Sequence, residues 1–165
     1  MDYSDFVKAV GHLWPASFIG ADSWPFGTLQ TFHFMGLCML FGTMAVVDLR
    51  LLGLFKSLSV KSVLAFLPLA IMGFLFMAGS GYAMVTTNPG LYLYNPAFRM
   101  KMYLVALAGI NALVFTVLEH RQAVLVGIGQ DTSPLTKVTA GASLIGWTAI
   151  MVFGRLLQQF TVSVN

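Results

Sequence analysis

The chain of 165 residues contains four long apolar stretches, and its charged residues fall mostly between them. Residues 102–118 and 138–154 contain no charged side chain, and residues 29–54 and 63–85 form two further stretches of greater length. The hydrocarbon core of a bilayer is about 30 Å thick, so a helix needs about 17 to 25 mostly apolar residues to cross it. The pattern therefore predicts four transmembrane helices.

Composition indicates the same class of protein. Hydrophobic residues make up 58% of the chain and charged residues 9%, whereas about 25% of a soluble domain is charged. The nine basic residues are scattered, so the net charge of +3 favours contact with anionic lipid headgroups over nucleic acid binding. We expect an all-α fold with an interfacial segment over 1–28 and a four-helix transmembrane bundle over 29–165.

Residues 3–14 have the spacing of an amphipathic helix, with Asp5, Lys8 and His12 on the face opposite the apolar side chains. Such a helix lies in the plane of the membrane interface. We expect an irregular connection to follow up to residue 28, because this region contains four helix-breaking residues. They are Pro15, Gly20, Pro25 and Gly27.

Four crossings place both termini on one side, called side A here, together with the turn-rich connection 86–96. The opposite side, called side B, holds the connections 55–62 and 119–137. Side A has four basic residues and side B has five, of which three cluster within 50–61. Because cytoplasmic loops are enriched in basic residues, we expect side B to be cytoplasmic.

Three polar residues are expected to meet near side A, inside the membrane, where polar side chains are costly and mark functional sites. His33 begins the first predicted helix, Lys101 begins the third and Arg155 ends the fourth. His33 is a candidate haem ligand or quinone contact, and a hydrogen-bonded packing role is the alternative. Lys101 and Arg155 are placed to meet haem propionates.

A second haem ligand cannot be His120. The first and third helices run parallel, so His33 and His120 are about 25 Å apart along the membrane normal. The partner must come from side A, and histidine–methionine ligation of haem iron is established chemistry. The candidates are His12, Met84, Met100 and Met102.

Asp48 and Arg50 lie near the side-B end of the first predicted helix. Residues two apart on a helix face different directions, so these two are not a mutual pair. We expect each to pair with another charged element on side B, as a topology-fixing network or as a docking surface for a partner. The available residues are Lys61, Glu119 and Arg121.

Three polar residues are expected close to the middle of the membrane: Asn111, Ser143 and Thr148. Asn111 is a candidate interhelical hydrogen-bond donor, an interaction worth about 0.6 kcal/mol on average in membranes. Its expected role is packing.

A copper site is a further hypothesis, prompted by His33, Met35, Cys38 and Met39, because sulfur ligands favour cuprous ion. In a helix His33 points about 160° away from Met35, and methionine is an ordinary filler of apolar interiors. The pattern therefore favours gap-filling by these methionines over copper binding.

Several short segments resemble a known family. They are 33–37 (His-Phe-Met-Gly-Leu), 48–53 (Asp-Leu-Arg-Leu-Leu-Gly), 95–98 followed by Lys101, 111–113 (Asn-Ala-Leu), and 146–147 followed by Gly154 and Arg155. Over residues 25–160 the chain resembles an uncharacterised family of small four-helix bacterial inner-membrane proteins. That family is distantly similar to copper-resistance D-type proteins and four-helix b-type cytochromes.

The resemblance implies a multi-pass protein of the bacterial inner membrane, which would make side A and the termini periplasmic. It implies no activity. The positions carried over are His33, Asp48, Arg50, Lys101, Asn111 and Arg155. The chain departs from the bis-histidine cytochrome pattern, since helices two to four have no histidine at the depth of His33.

The expected function is that of a membrane subunit in bacterial redox metabolism. Such a subunit would anchor an electron-transfer complex, bind lipids, contact haem b or quinone, and meet other membrane or periplasmic subunits. The alternatives are a transporter of copper or another small solute, and a structural accessory subunit without a cofactor. The sequence contains no nucleophile paired with a base, no zinc spacing and no phosphate-binding glycine loop, so we do not expect catalysis by this chain alone.

Overall fold

The computed structural model describes residues 2–16, 18–19, 24–157 and 159–160, which form helices and no strand. A short helix at the N-terminus precedes the long helices, and one π-helical turn interrupts the third of these. The elements are α1 (Tyr3–Gly11), α2 (Trp24–Leu51), α3 (Val60–Leu64), α4 (Leu67–Thr87), α5 (Pro89–Leu93), α6 (Pro96–Val114), the π-helical turn (Phe115–Glu119), α7 (His120–Ala123) and α8 (Pro134–Leu156).

Four helical segments are long and apolar enough to cross a membrane, which confirms the predicted all-α four-helix architecture. Two of the segments are composite, because α3 continues into α4 and α6 continues through the π-helical turn into α7. The segments are Trp24–Leu51, Val60–Thr87, Pro96–Ala123 and Pro134–Leu156. The chain is therefore a multi-pass membrane protein.

Three helices begin at an Asn-Pro or Ser-Pro pair. Asn88, Asn95 and Ser133 each accept a hydrogen bond from a backbone N–H of the following helix, and proline takes its first position. Proline suits this position because its missing N–H would have no partner there. The connection 86–96, predicted to be turn-rich, therefore contains the short helix α5, and α8 begins at Pro134, inside the predicted connection 119–137.

The first membrane helix also begins early. Pro25 and Gly27 were assigned to an irregular connection, but both lie in the first turn of α2, where proline is tolerated. Gly20 lies outside the described residues. In the second segment the helix is interrupted at Ala65 and Phe66, because Pro68 cannot donate to, and clashes with, the carbonyl four residues before it.

The helices pack as two pairs, α2 with α4 and α6 with α8, and α2 also packs against α8. The α2–α4 pair is close because Gly36 and Gly73 face each other. A Cβ atom added to Gly36 would lie 2.7 Å from the Gly73 carbonyl oxygen. Small residues of this kind let membrane helices approach closely. By contrast, α4 and α6 pack little against each other.

The amphipathic N-terminal helix is confirmed as α1, capped by Asp2 and Asp5 in reciprocal hydrogen bonds. It packs against α5 and the end of α4. The Tyr3 hydroxyl donates to the Leu93 carbonyl over 2.7 Å, and the Tyr3 and Tyr94 rings meet edge to face. Its position in the membrane interface remains a prediction.

Candidate functional site

A cavity of about 400 Å³ lies between α2, α4, α6 and α8, in the half of the bundle nearer side B. Ligand pockets in proteins measure about 300 to 1,000 Å³ and combine apolar walls with a few polar groups. The walls here are mainly aliphatic and aromatic, with Phe74, Phe115 and Trp147 as the aromatic residues. The polar lining consists of Asp48, Asn111, Thr116, Thr139 and Ser143.

The cavity opens sideways between α4 and α6, where the two helix pairs leave a gap. On the α4 side, Ile71 and Phe74 line the cavity and are 61% and 40% exposed. On the α6 side, Gly109, Ala112 and Thr116 line it and are also exposed. In a bilayer this gap faces lipid, so a lipid-soluble molecule can reach the cavity from the membrane.

Asp48 is the titratable residue among the described residues that line the cavity. The side chain is 2% exposed, and its Oδ2 atom has no hydrogen-bond partner among the described residues. The Ser143 side chain lines the cavity beside it. A buried carboxyl oxygen without a partner costs free energy. This cost points to a role in binding rather than in folding.

Asn111 connects α6 and α8, which together form one wall of the cavity. Its Nδ2 atom donates to the Thr139 carbonyl of α8 over 3.0 Å, which confirms the predicted interhelical hydrogen bond. Since one N–H is used in this way, the side-chain carbonyl remains available as an acceptor. Thr148, in contrast, is exposed and bonds to the Leu144 carbonyl of its own helix.

The π-helical turn of the third segment borders the cavity. Phe115 and Thr116 of this turn line the wall. At its end Glu119 is buried and accepts hydrogen bonds from Ser133 and Thr136, at 2.5 and 2.6 Å. Single π-helical turns inside helices are frequent at functional sites.

Arg50 has a structural role that the sequence did not reveal. Its guanidinium is fully buried and donates to the carbonyls of Leu58, Gly127 and Gln130, at 2.7, 3.1 and 3.3 Å. These hydrogen bonds therefore hold the two side-B connections, 55–62 and 119–137, against the end of α2. Its Nη1 atom has no hydrogen-bond partner among the described residues.

The predicted charge network of Asp48 and Arg50 with Lys61, Glu119 or Arg121 was wrong. Arg50 binds backbone carbonyls, Asp48 faces the cavity, and Glu119 is held by hydroxyl groups. The ion pairs of side B join Asp131 to Lys137 at 2.9 Å and to Lys56 at 3.3 Å. The Lys137 hydrogen bond is the main cause that lowers the pKa of Asp131 to about 2.

His33 lies about 14 Å along α2 from its first residue, so it is deeper than predicted. Its Nδ1 atom is 3.0 Å from the Ser80 hydroxyl, which donates to the Phe76 carbonyl. The ring also packs against Gly81, where an added Cβ would lie 3.3 Å from His33 Cε1. His33 is thus a hydrogen-bonded residue of the α2–α4 interface.

The structure places Lys101 near His33 and near the end of α8. A Cβ atom added to Gly154 would lie 3.5 Å from Lys101 Nζ. Arg155 follows Gly154 and is exposed. Met84 lies one turn beyond Ser80, and Met102 is exposed on α6. Haem ligation by His33 with Met84 or Met102 remains a prediction.

His33 and His120 lie toward opposite ends of the bundle, as predicted. His33 bonds to α4 seven residues before the side-A end of that helix, whereas His120 follows the π-helical turn near side B. Of the residues in the copper hypothesis, Met35 and Cys38 are exposed. The described residues contain no group of three or more His, Cys, Asp or Glu that could hold a metal ion.

Comparison with protein-family models, with curated proteins and with solved structures finds no match for this chain. The resemblance described above therefore remains a prediction, and the functional argument depends on the geometry of the cavity.

Proposed function

We propose that this protein is a membrane subunit of a bacterial electron-transfer complex, and that it binds a lipid-soluble quinone in the Asp48 cavity. It sits in the inner membrane with its termini in the periplasm, and a partner redox subunit supplies the electrons. The observation that carries the proposal is the buried Asp48 carboxyl in an apolar cavity open to the bilayer.

The cavity suits both chemical parts of a quinone. The flat headgroup is matched by the aromatic side chains of Phe74, Phe115 and Trp147, since aromatic rings attract one another in offset and edge-to-face arrangements. The apolar tail leaves through the gap between α4 and α6 into the lipid. An enclosed cavity would have no room for such a tail.

Asp48 and Ser143 are the groups placed to recognise a quinone carbonyl oxygen. A hydroxyl donates one hydrogen bond, and so does a carboxyl group while it holds its proton. Reduction of a quinone to a quinol requires two electrons and two protons. Asp48 can donate a proton to, or accept one from, the oxygen that faces it.

His33 gives weaker support to a second cofactor in the same subunit. Since Nδ1 is hydrogen-bonded to Ser80, a haem would use Nε2 as its ligand atom, and an oriented imidazole of this kind is usual in metal sites. A haem bound there would transfer single electrons. The quinone proposal does not depend on it.

Fluorescence of Trp147 tests the proposal. The other two tryptophans, Trp14 and Trp24, are exposed and lie outside the cavity, so the double variant Trp14→Phe/Trp24→Phe leaves one reporter in the cavity wall. Titration of the detergent-purified variant with a short-tailed ubiquinone analogue should give saturable quenching. Adding Ala112→Phe, which fills the cavity, should abolish the saturable part.

Ala106→Phe is the matched control, because Ala106 is exposed on the same helix but does not line the cavity. It should leave the quenching curve unchanged. Quenching that is linear in quinone concentration, or equal in the Ala106 and Ala112 variants, would exclude the cavity as a quinone site.

A further inference from the structure

A row of hydroxyl groups, formed by the capping residue of α8 and three buried residues of that helix, leads from side B to the cavity. Successive members are three or four residues apart, so they lie on one face of the helix. Thr136 is 1% exposed, Thr139 5% and Ser143 6%. The row consists of Ser133, Thr136, Thr139 and Ser143.

The side-B end of this row is a carboxylate. Glu119 accepts from both the Ser133 and the Thr136 hydroxyls, and the two hydroxyls are 3.1 Å apart. Glu119 is held in place by the π-helical turn, and His120 and Arg121 follow it toward the side-B connection. A titratable group thus stands where the row meets the loops of side B.

The other end of the row is Asp48. Thr139 and Ser143 line the same cavity as this carboxyl, and Ser143 is close enough to interact with it. The Thr139 hydroxyl donates to the Thr136 carbonyl over 2.9 Å. The row therefore lies between two buried carboxyl groups, one near each of its ends.

Two of these hydroxyls, those of Ser133 and Thr136, differ from the ordinary threonines of the same bundle. A Ser or Thr in a membrane helix usually bonds back to the carbonyl four residues earlier, as Thr116 does to Ala112 and Thr148 to Leu144. Ser133 and Thr136 direct their hydroxyls to Glu119 instead. These two hydroxyls therefore link α8 directly to a titratable group.

We infer that Glu119, Thr136, Thr139 and Ser143 form a proton path between side B and Asp48. In each step a hydroxyl oxygen accepts a proton on a lone pair and releases its own proton to the next group, so no net charge stays on the path. Thr136 and Thr139, and likewise Thr139 and Ser143, are separated by one helical turn, about 5 to 6 Å, and one bridging water spans each of these two gaps. The inference rests on the proposed function for its purpose, which is to supply protons for quinone reduction.

Hydrogen–deuterium exchange at Asp48 tests the path without any quinone. The infrared carbonyl band of the Asp48 carboxyl group is identified in the purified full-length protein as the band that Asp48→Asn removes. Its shift after transfer into D2O gives the exchange rate. Thr139→Val and Glu119→Gln should each slow this exchange by about tenfold or more, which corresponds to about 1.4 kcal/mol of added barrier.

Two further variants make the result specific. Thr148→Val removes an exposed hydroxyl from the same helix and should leave the rate unchanged, whereas Thr139→Ser keeps the hydroxyl and should exchange much faster than Thr139→Val. Equal rates in wild type, Thr139→Val and Glu119→Gln would overturn the path, and so would the absence of any Asp48-dependent band across the pH range. Because no quinone is present, failure here leaves the Trp147 titration to decide the proposed function separately.

Discussion

Asp48 and Arg50 are two residues apart on α2, and the fold places their side chains in different surroundings. Arg50 is buried among backbone carbonyls of two connections, so it stabilises the side-B end of the bundle. Asp48 has a carboxyl oxygen without a partner in the part of the chain that the structure describes. Arg50 therefore supports the fold, whereas Asp48 lies in the cavity at the expense of stability.

This contrast predicts that Asp48→Leu preserves the fold but removes quinone binding. Replacing a buried polar group that lacks a partner with an apolar side chain of similar size is neutral or stabilising. We expect the free energy of unfolding to stay equal or rise by about 1 kcal/mol, while saturable quenching of Trp147 is lost. Met44→Leu, another change in the cavity wall, is the control for repacking. A loss of stability above about 2 kcal/mol in Asp48→Leu would show that Asp48 is structural.

A second residue-level prediction concerns Asp131, whose pKa is lowered from 3.8 to about 2, chiefly by its hydrogen bond from Lys137. A carboxyl group with a lowered pKa in the folded state stabilises the fold above its unfolded pKa. That contribution is lost as the pH falls from 3.8 through about 2. The thermal unfolding midpoint of wild type should fall more steeply in this window than that of Asp131→Asn. Parallel curves would contradict the ion pairs.

At the scale of helices, the α2–α4 contact depends on two glycines. In Gly36→Ala the new methyl group would lie 2.7 Å from the Gly73 carbonyl oxygen and 2.9 Å from the Met77 nitrogen. Backbone atoms cannot move aside without separating the helices, so we expect a loss of about 1 to 3 kcal/mol in unfolding free energy.

Gly42→Ala on the same helix is the matched control, because nothing lies within 4 Å of an added Cβ there. It should stabilise the protein by about 0.5 to 1 kcal/mol, since alanine is the better helix former. Similar unfolding midpoints for the two variants would show that α2 and α4 are not in close contact.

The number of membrane helices follows from hydropathy alone, but their ends do not. Asn95-Pro96 and Ser133-Pro134 predict turns when proline is treated only as a helix breaker. In the structure the polar residue caps the helix and proline occupies its first position. A polar residue followed by proline is also a signal for the start of a helix. Interpreted in this way, the two pairs predict these helix boundaries correctly.

The candidate site was predictable only in part. The bond of Asn111 to α8 was expected. The sequence predicts Asp48 near side B and Asn111 and Ser143 close to the middle of the membrane, whereas all three line one cavity. Their convergence on one cavity depends on how α2, α6 and α8 are rotated, which a single apolar sequence does not specify. The π-helical turn that directs Glu119 to α8 has no recognisable sequence signal either.

At the scale of the whole molecule, two helix pairs joined through α2 and α8 leave one side of the bundle open. The third membrane segment is the least covered, with 6% of its apolar window buried against 28% in the other three. This arrangement makes the cavity a lateral pocket and leaves much of α6 facing lipid or a neighbouring subunit. Access from the membrane is therefore a property of the packing rather than of any single residue.

Photoaffinity labelling with an azidoquinone, followed by mass spectrometry of the labelled peptides, tests this account most directly. We expect label on cavity residues of α4 and α6 such as Phe74 and Ala112, and competition by unlabelled short-tailed ubiquinone. Label concentrated around His33 and Lys101 near side A, or label that unmodified quinone does not displace, would contradict a quinone site at Asp48.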